Sequence, residues 1–344
     1  MKQQKEPTLK LIAEKLNISV TTVSKALKGY SDVSAVTRQR VIDMADQLNY
    51  TPNSLAVNFR TKETRTIGII IPEVVHHFFS SVINGVIEEA ERQNYFVIIL
   101  QSNEKKEMEK RQVELLISKK VDGIIMSLSN QSNDEDYLKM IINKKIPFVL
   151  IDKISKLIDC SKVVIDDKKA AFDAVNHLIN MGCKKIAHIR GPLNPQNAID
   201  RFLGYKAALA HHNIPFNPEL VIPCERVCYE EGYEFTKKIM TKYPDVDGFF
   251  AITDLVAVGI LTYLNEQQIK VPEQVAVIGF SNWFMSGVIS PKLSTIDQPG
   301  FTMGAQAFLL LKEEMESMKT TGERLCKTIT LNTDVLVRAS SKRN

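Results

Sequence analysis

Residues 8–29 read TLKLIAEKLNISVTTVSKALKG, and the fold of the first part of the chain turns on them. Thr8 is suited to cap a helix, and Leu9, Ile12, Ala13 and Leu16 follow at helical spacing. Asn17 falls where a tight turn needs a left-handed residue, a conformation asparagine tolerates. Ile18 can plug the angle between two helices. Ser19 caps the second helix, Val23 and Leu27 give its buried stripe, and Gly29 ends it. Val20 to Val23 are all β-branched, which is unfavourable inside a helix. Such a local conflict is expected where function sets the residues. A third helix is expected from about Ser34 to Asn49, with Val41, Ala45 and Leu48 on one face. Two short helices joined by a tight turn and supported by a third make a helix-turn-helix head.

Charge supports that reading. Residues 1–65 carry eleven Lys/Arg against six Asp/Glu, whereas the whole 344-residue chain has a net charge of only +4. A basic head on a near-neutral body suits a polyanionic partner. In a helix-turn-helix the exposed face of the second helix enters the major groove. Here that face is expected to hold Val20, Thr21, Thr22, Ser24, Lys25 and Lys28. Short hydroxyls can meet phosphates or base edges, a β-branched methyl can touch a thymine methyl, and Lys25 can reach a guanine edge. YTPNSLAVNFRT (50–61) follows. Pro52 breaks the third helix, and Asn53 can cap a short new one with Leu55, Ala56 and Phe59 on its apolar side. Alone, that segment is too short to hold a helix and needs a partner copy or a groove.

Beyond the charged linker 62–65, nine apolar runs alternate with helical patterns: 66–72, 95–101, 121–128, 146–152, 162–167, 185–191, 220–224, 248–253 and 275–280. Continuous apolar runs separated by helices indicate parallel sheets covered on both faces. Nine are too many for one compact sheet, so two α/β lobes are expected. Ligands of open α/β sheets bind beyond the carboxyl ends of the strands. That rule nominates Phe78, Phe79, Gln101, Asn103, Ser127 and Asp152 from the first lobe. From the second it nominates Arg201, Thr253, Asp254, Ser281, Asn282 and Trp283. Flat rings beside neutral and charged hydrogen-bonders suit a sugar or another polyol.

TLKLIAEKLNISVTTVSKALKG, with TRQRVIDMADQLNYTPN (37–53), resembles the lactose-repressor (LacI/GalR) family of bacterial transcription regulators, and the resemblance extends over nearly the whole chain. It implies a helix-turn-helix head (1–60) with a hinge helix at about 53–60. The body (61–344) would then be of the periplasmic sugar-binding-protein type, binding effector and mediating dimerisation. The chain would cross between lobes three times, near 161–165, 290–294 and 323–328. The first lobe would comprise about 66–163 plus 293–325, and the second about 164–292 plus 326–340. Such lobes close on a ligand like a hinge. Thr8, Tyr50, Asn53, Ala56, Phe59 and Arg60 would join the DNA contacts. Phe59 would stand where the family usually inserts a leucine wedge into the minor groove. Arg201 matches the arginine that grips effector, and Phe79 a ring that stacks on it. Asp152 and Asp166 match acids in or near the cleft, and Gln298 a cleft-rim position. Ser281 departs from a frequent aspartate, Thr253 from a frequent asparagine, and Leu11 from a frequent acid.

The expectation is therefore a cytoplasmic, effector-responsive DNA-binding regulator, a repressor, acting as a homodimer on a pseudopalindromic operator. Its effector is expected to be a sugar or sugar derivative. Effector and operator affinities would be reciprocally coupled through a population shift. Two alternatives stay open: control by a partner protein, as in the family's catabolite regulators, and a sugar-processing enzyme with a DNA-binding head. No phosphate loop, nucleophile elbow or HExxH helix is present, so neither a cofactor nor catalysis is expected. Cys224 and Cys228, with His211 and His212 upstream, lack the spacing of a zinc site, and no metal is expected. Five scattered cysteines suggest reduced thiols. No apolar stretch is long enough to span a membrane. LVRASSKRN (336–344) carries no apolar heptad, so a dimer is expected in place of a tetramer.

Overall fold

The computed structural model describes residues 7–50, 63–75, 77–131 and 136–343. The chain divides into residues 1–64 and residues 65–344.

In the first unit, α1 spans Leu9–Leu16, α2 Val20–Leu27 and α3 Ala35–Gln47. All three helices start on a hydroxyl. Thr8 Oγ1 accepts from the Leu11 amide at 3.2 Å, Ser19 Oγ from Thr22 at 3.0 Å, and Ser34 Oγ from Thr37 at 3.2 Å. Each such cap contributes about 1 kcal/mol. They also end alike. Asn17, Gly29 and Asn49 adopt left-handed φ values of 53°, 74° and 49°. The next amide then reaches back, Ile18 to Ala13 O at 3.0 Å, Tyr30 to Lys25 O at 3.1 Å and Tyr50 to Ala45 O at 2.8 Å. This is the Schellman arrangement, which occupies otherwise orphaned carbonyls. Ile12, Ala13, Val23, Ala26, Val33, Val41 and Ala45 form the buried core. Ala26 and Val33 were not in the expected stripe; Leu27, which was, packs on the core only in part. Val23 is wholly buried, so its β-branch serves packing, while Val20 and Thr21 face solvent.

The second unit contains the strands β1 (Thr66–Ile71), β2 (Phe96–Gln101), β3 (Gly123–Met126), β4 (Phe148–Ile151), β5 (Ser161–Ile165), β6 (Ile186–Arg190), β7 (Val221–Pro223), β8 (Gly248–Ala251), β9 (Ala276–Ile278), β10 (Thr295–Asp297), β11 (Thr328–Leu331) and β12 (Asp334–Leu336). Its helices are α4 (His77–Arg92), α5 (Lys106–Ser118), α6 (Asp136–Asn143), α7 (Asp167–Asn180), α8 (Gln196–His211), α9 (Tyr229–Lys242), α10 (Asp254–Glu266) and α11 (Gly300–Thr320). One parallel sheet has the order β11-β5-β4-β3-β1-β2, a second β7-β6-β8-β9, and β10 pairs antiparallel with β12. The nine apolar runs are β1 to β9. Central strands such as β3 and β4 are buried along their whole length, as a sheet covered on both faces requires. Among the described residues the most extensive helix pairings in this unit are α4 on α11, α7 on α8, and α9 on α10.

The division between lobes differs from the expected one. β5 pairs with β4, so residues up to Ile165 belong to the first sheet. β11 pairs with β5, which places 328–331 in the first sheet and not the second lobe. Ser294 bridges Ile278, and the Gly279 amide donates to Ser294 O at 2.9 Å, so 294 still belongs with the second sheet. The second and third crossings therefore lie at β10 and β12, later in the chain than expected. These two short strands form their own ladder between the lobes, and a ladder needs both crossings in register.

Candidate DNA-reading face and effector cleft

On the head, Val20, Thr21 and Lys28 are exposed, and Thr22, Ser24 and Lys25 are half-buried. Not all six are equally available. The Thr22 hydroxyl lies 2.8 Å from Ser19 Oγ and closes the cap of α2. Lys25 Nζ is ion-paired with Asp32, a residue the expected set did not contain. That contact holds the Asp32 carboxyl below its ordinary range. Thr8 is exposed, but its hydroxyl is committed to capping α1. Tyr50 packs against the head core, the apolar contact that accompanies a Schellman turn. Asn53, Ala56, Phe59 and Arg60 lie outside the described residues.

In the second unit a cleft of about 400 Å³ opens between the two sheets. It lies at the carboxyl ends of the strands because there the helices turn away and leave backbone and loop side chains exposed. Phe78, Phe79, Asp152, Arg201, Thr253, Asp254, Ser281, Trp283 and Gln298 all line it. Gln101, Asn103, Ser127, Asp166 and Asn282 do not. Gln101 accepts from the Val74 amide at 2.9 Å and its amide donates to Asn103, so these two close a loop. Ser127 is wholly buried beneath the Lys153 amide. Asp166 is exposed and caps α7, accepting from the Lys169 amide at 2.9 Å. Asn282 lines a smaller side pocket of about 190 Å³, held by Asp297 at 2.9 Å and Arg338 at 2.8 Å.

The acid that meets Arg201 is the neighbour, Asp167. Arg201 Nε donates to Asp167 Oδ1 at 2.8 Å, Nη1 donates to Ile252 O at 3.0 Å, and the guanidinium carbon lies 3.6 Å from the Phe280 ring centre. Both partners of the ion pair are buried. Burial pushes the Asp167 carboxyl up to about 7, against the pull of Arg201 and with a push from Asp152. Asp152 adopts a left-handed φ of 54°, and its Oδ1 accepts from Gln298 Nε2 at 3.1 Å and from Asn197 Nδ2 at 3.4 Å. Ser281 Oγ donates to Gln298 Oε1 at 3.0 Å. A relay thus runs from the second lobe through the crossing strand to Asp152 in the first.

Asp254 supports the cleft from behind. Its carboxylate accepts from the Trp283 amide, Ser286 Oγ and Thr295 Oγ1, each at 2.6 Å. Burial nevertheless pushes it up to about 6, the three donors pulling the other way. Thr253 caps α10 in front of it. Gly279 is required beside it, because a Cβ there would lie 2.2 Å from Asp254 Oδ1. Asp254 therefore holds the Trp283 loop instead of presenting a free carboxylate. Ser281 and Asn282 in that loop have φ of 95° and 50°, and a backbone bond from the Ser281 amide to Ile296 O at 2.9 Å helps to fix them.

Residues 8–53 match the family model for "Bacterial regulatory proteins, lacI family", and residues 64–333 match that for "Periplasmic binding proteins and sugar binding domain of LacI family". The chain belongs to the LacI family. It is thus a DNA-binding transcriptional regulator with the family's sugar-binding type of body. It is 34% identical over 335 residues to the NTD biosynthesis operon regulator NtdR of Bacillus subtilis (strain 168), covering 97% of this chain and 100% of that one. It is 31% identical over 342 residues to the HTH-type transcriptional repressor CytR of Escherichia coli (strain K12), covering 99% and 98%. Among solved structures, a transcriptional regulator CelR–cellobiose complex superposes with a TM-score of 0.74 at 25% identity, over 97% of this chain and 99% of that one. These LacI-family relatives are regulators and not enzymes.

Sequence reasoning missed Asp167, which pairs with Arg201 behind this LacI-family cleft, and, lining it, Asn197, Phe280, Lys153, Glu104 and Asn130. Lys153 Nζ pairs with Glu104 and donates to Asn130 Oδ1 at 2.7 Å. Each missed residue stands next to, or a few positions from, a nominated one, so a wider window at each strand end would have found them. Cys228 lines the cleft as a free thiol, with Cys224 buried behind it. Among the described residues no group of three His, Cys, Asp or Glu side chains is placed to hold a metal, and no helix is long and apolar enough to cross a membrane.

Proposed function

We propose that this LacI-family regulator is a repressor controlled by a neutral polyhydroxylated small molecule, a sugar or sugar derivative, bound in the cleft between its lobes. The pairing of the cleft's charges carries this reading. Arg201 is engaged by Asp167 and Lys153 by Glu104, while Asp152 has no cationic partner among the described residues. An anionic ligand would meet an uncompensated carboxylate and few free cations. A hydroxyl pair would donate to Asp152, and sugar faces would lie on Phe79 or Trp283. The relative bound to cellobiose lends the same support.

Ligand contacts to both lobes would favour one lobe angle, and operator affinity would change reciprocally. The regulator would act as a homodimer on two half-sites, the arrangement helix-turn-helix proteins use on palindromes. A thermal-shift screen of neutral sugars against sugar phosphates tests this. Operator binding of the hits would then be measured on a site selected from random duplexes. A neutral sugar should raise the melting temperature and change operator affinity at least tenfold. Stabilisation by sugar phosphates alone, or no change in operator affinity with any hit, overturns the proposal.

A further inference from the structure

The residues nominated for base reading include no acid, yet the structure places one among them. Asp32 lies in the loop after α2, with its carboxylate in contact with Lys25 Nζ. That loop is held on several sides. The Tyr30 amide bonds Lys25 O at 3.1 Å, Arg38 Nη2 donates to Tyr30 O at 2.8 Å, and Val33 is buried in the head core. Asp32 is thereby fixed beside the exposed face of α2. Both side chains of the pair remain accessible, Lys25 at 43% and Asp32 at 53%.

A carboxylate on a DNA-facing surface is repelled by phosphates unless it meets a donor. In the major groove, cytosine offers its N4 amino group, and its guanine partner offers O6 and N7 as acceptors. O6 and N4 are themselves Watson–Crick partners, so they stand one hydrogen bond apart. An ammonium and a carboxylate in contact match that spacing. The donors also suffice: Lys25 has three, one spent on Asp32 and two left for O6 and N7. Asp32 Oδ2 holds Lys25, and Oδ1 is left to accept from N4. An arginine fork would read the guanine alone; a lysine paired with an acid reads both bases.

We propose that Lys25 and Asp32 act as one unit that reads a single G·C pair in each half-site, Lys25 on guanine and Asp32 on the cytosine amino group. The proposal rests on α2 being the base-reading helix. Binding sites are selected from random duplexes with the wild-type chain and with Lys25→Ala, Asp32→Asn and Thr21→Ala. Both pair variants should lose G·C preference at the same position, at least tenfold, and leave other positions unchanged. N4-methylcytosine at that position should weaken wild-type binding at least fivefold and leave Asp32→Asn indifferent. A uniform gain of affinity in Asp32→Asn with an unaltered site would make Asp32 only a repelling charge and overturn the proposal. So would losses at two different positions. If Thr21→Ala and Lys25→Ala both leave the selected site unchanged, the helix assignment itself has failed, which is a separate result.

Discussion

The face of α2 and the cleft of the second unit were both nominated from sequence as binding surfaces, yet they are built differently. On α2, Val20, Thr21 and Lys28 project into solvent, and the internal commitments are a cap at Thr22 and an ion pair at Lys25. In the cleft, Asp152, Arg201, Thr253, Asp254, Ser281 and Gln298 all bond other protein groups. A face proposed to read DNA would keep its donors free, because the groove would supply their partners. A cleft proposed to hold ligand between two lobes would use the same side chains for structure and for ligand. Substitutions should therefore separate stability from binding on the head and confound them in the cleft.

Arg201→Ala breaks that contrast most severely or not at all. It strands the buried Asp167 carboxylate, so a loss of about 3–5 kcal/mol in denaturant unfolding of the body is expected. Effector response should vanish, with operator binding kept at low temperature. Unchanged stability would mean that cleft side chains are as independent as those of α2.

Acid sensitivity should follow the same division. Residues 1–65 contain no histidine. His188 is wholly buried in the second lobe, its Nδ1 2.9 Å from Phe250 O and its ring stacked on Phe250 and Tyr205. Burial pushes its pKa from 6.5 down to about 3. The folded state thus disfavours the proton, so its contribution is complete above pH 6.5 and is lost as pH falls towards 3. The loss is at most about 5 kcal/mol. Melting of wild type and His188→Phe at several pH values measures it. Equal acid sensitivity of the two would refute this origin.

Asp254→Asn replaces one acceptor oxygen among three donors and should cost about 1–3 kcal/mol in body stability. Effector affinity should fall as well, because the Trp283 loop loses its anchor. Lys25→Ala sits at the other extreme. The body's melting temperature should stay the same, while preference at one operator position drops by about 1–3 kcal/mol. A uniform loss over all sequences would instead assign Lys25 to a phosphate.

Much of the architecture was legible because it rests on local rules. The caps at Thr8, Ser19 and Ser34 and the left-handed Asn17 and Gly29 depend on residues no more than five positions apart. The nine strands β1 to β9 announce themselves as apolar runs, although β2 and β7 are only partly buried. The lobe boundaries were not legible in the same way, since β10, β11 and β12 are short and acquire their sheet membership from partners far away in the chain. Asp166 and Asp167 show the limit at the level of a single site. Both stand at one strand end with the same chemistry, and the cap at Asp166 rotates Asp167 inward to Arg201.

The sequence by itself determined the helix-turn-helix head, the two α/β lobes and the strand ends that line the cleft, because propensity, capping and apolar period act over short distances. Only the tertiary structure decided which nominated side chains stay free. Asp254 became an anchor, Tyr50 a packing residue and Asp32 the ion-pair partner of Lys25. Those outcomes depend on which donor or acceptor the fold brings within a hydrogen bond's length, and spacing along the chain does not encode that.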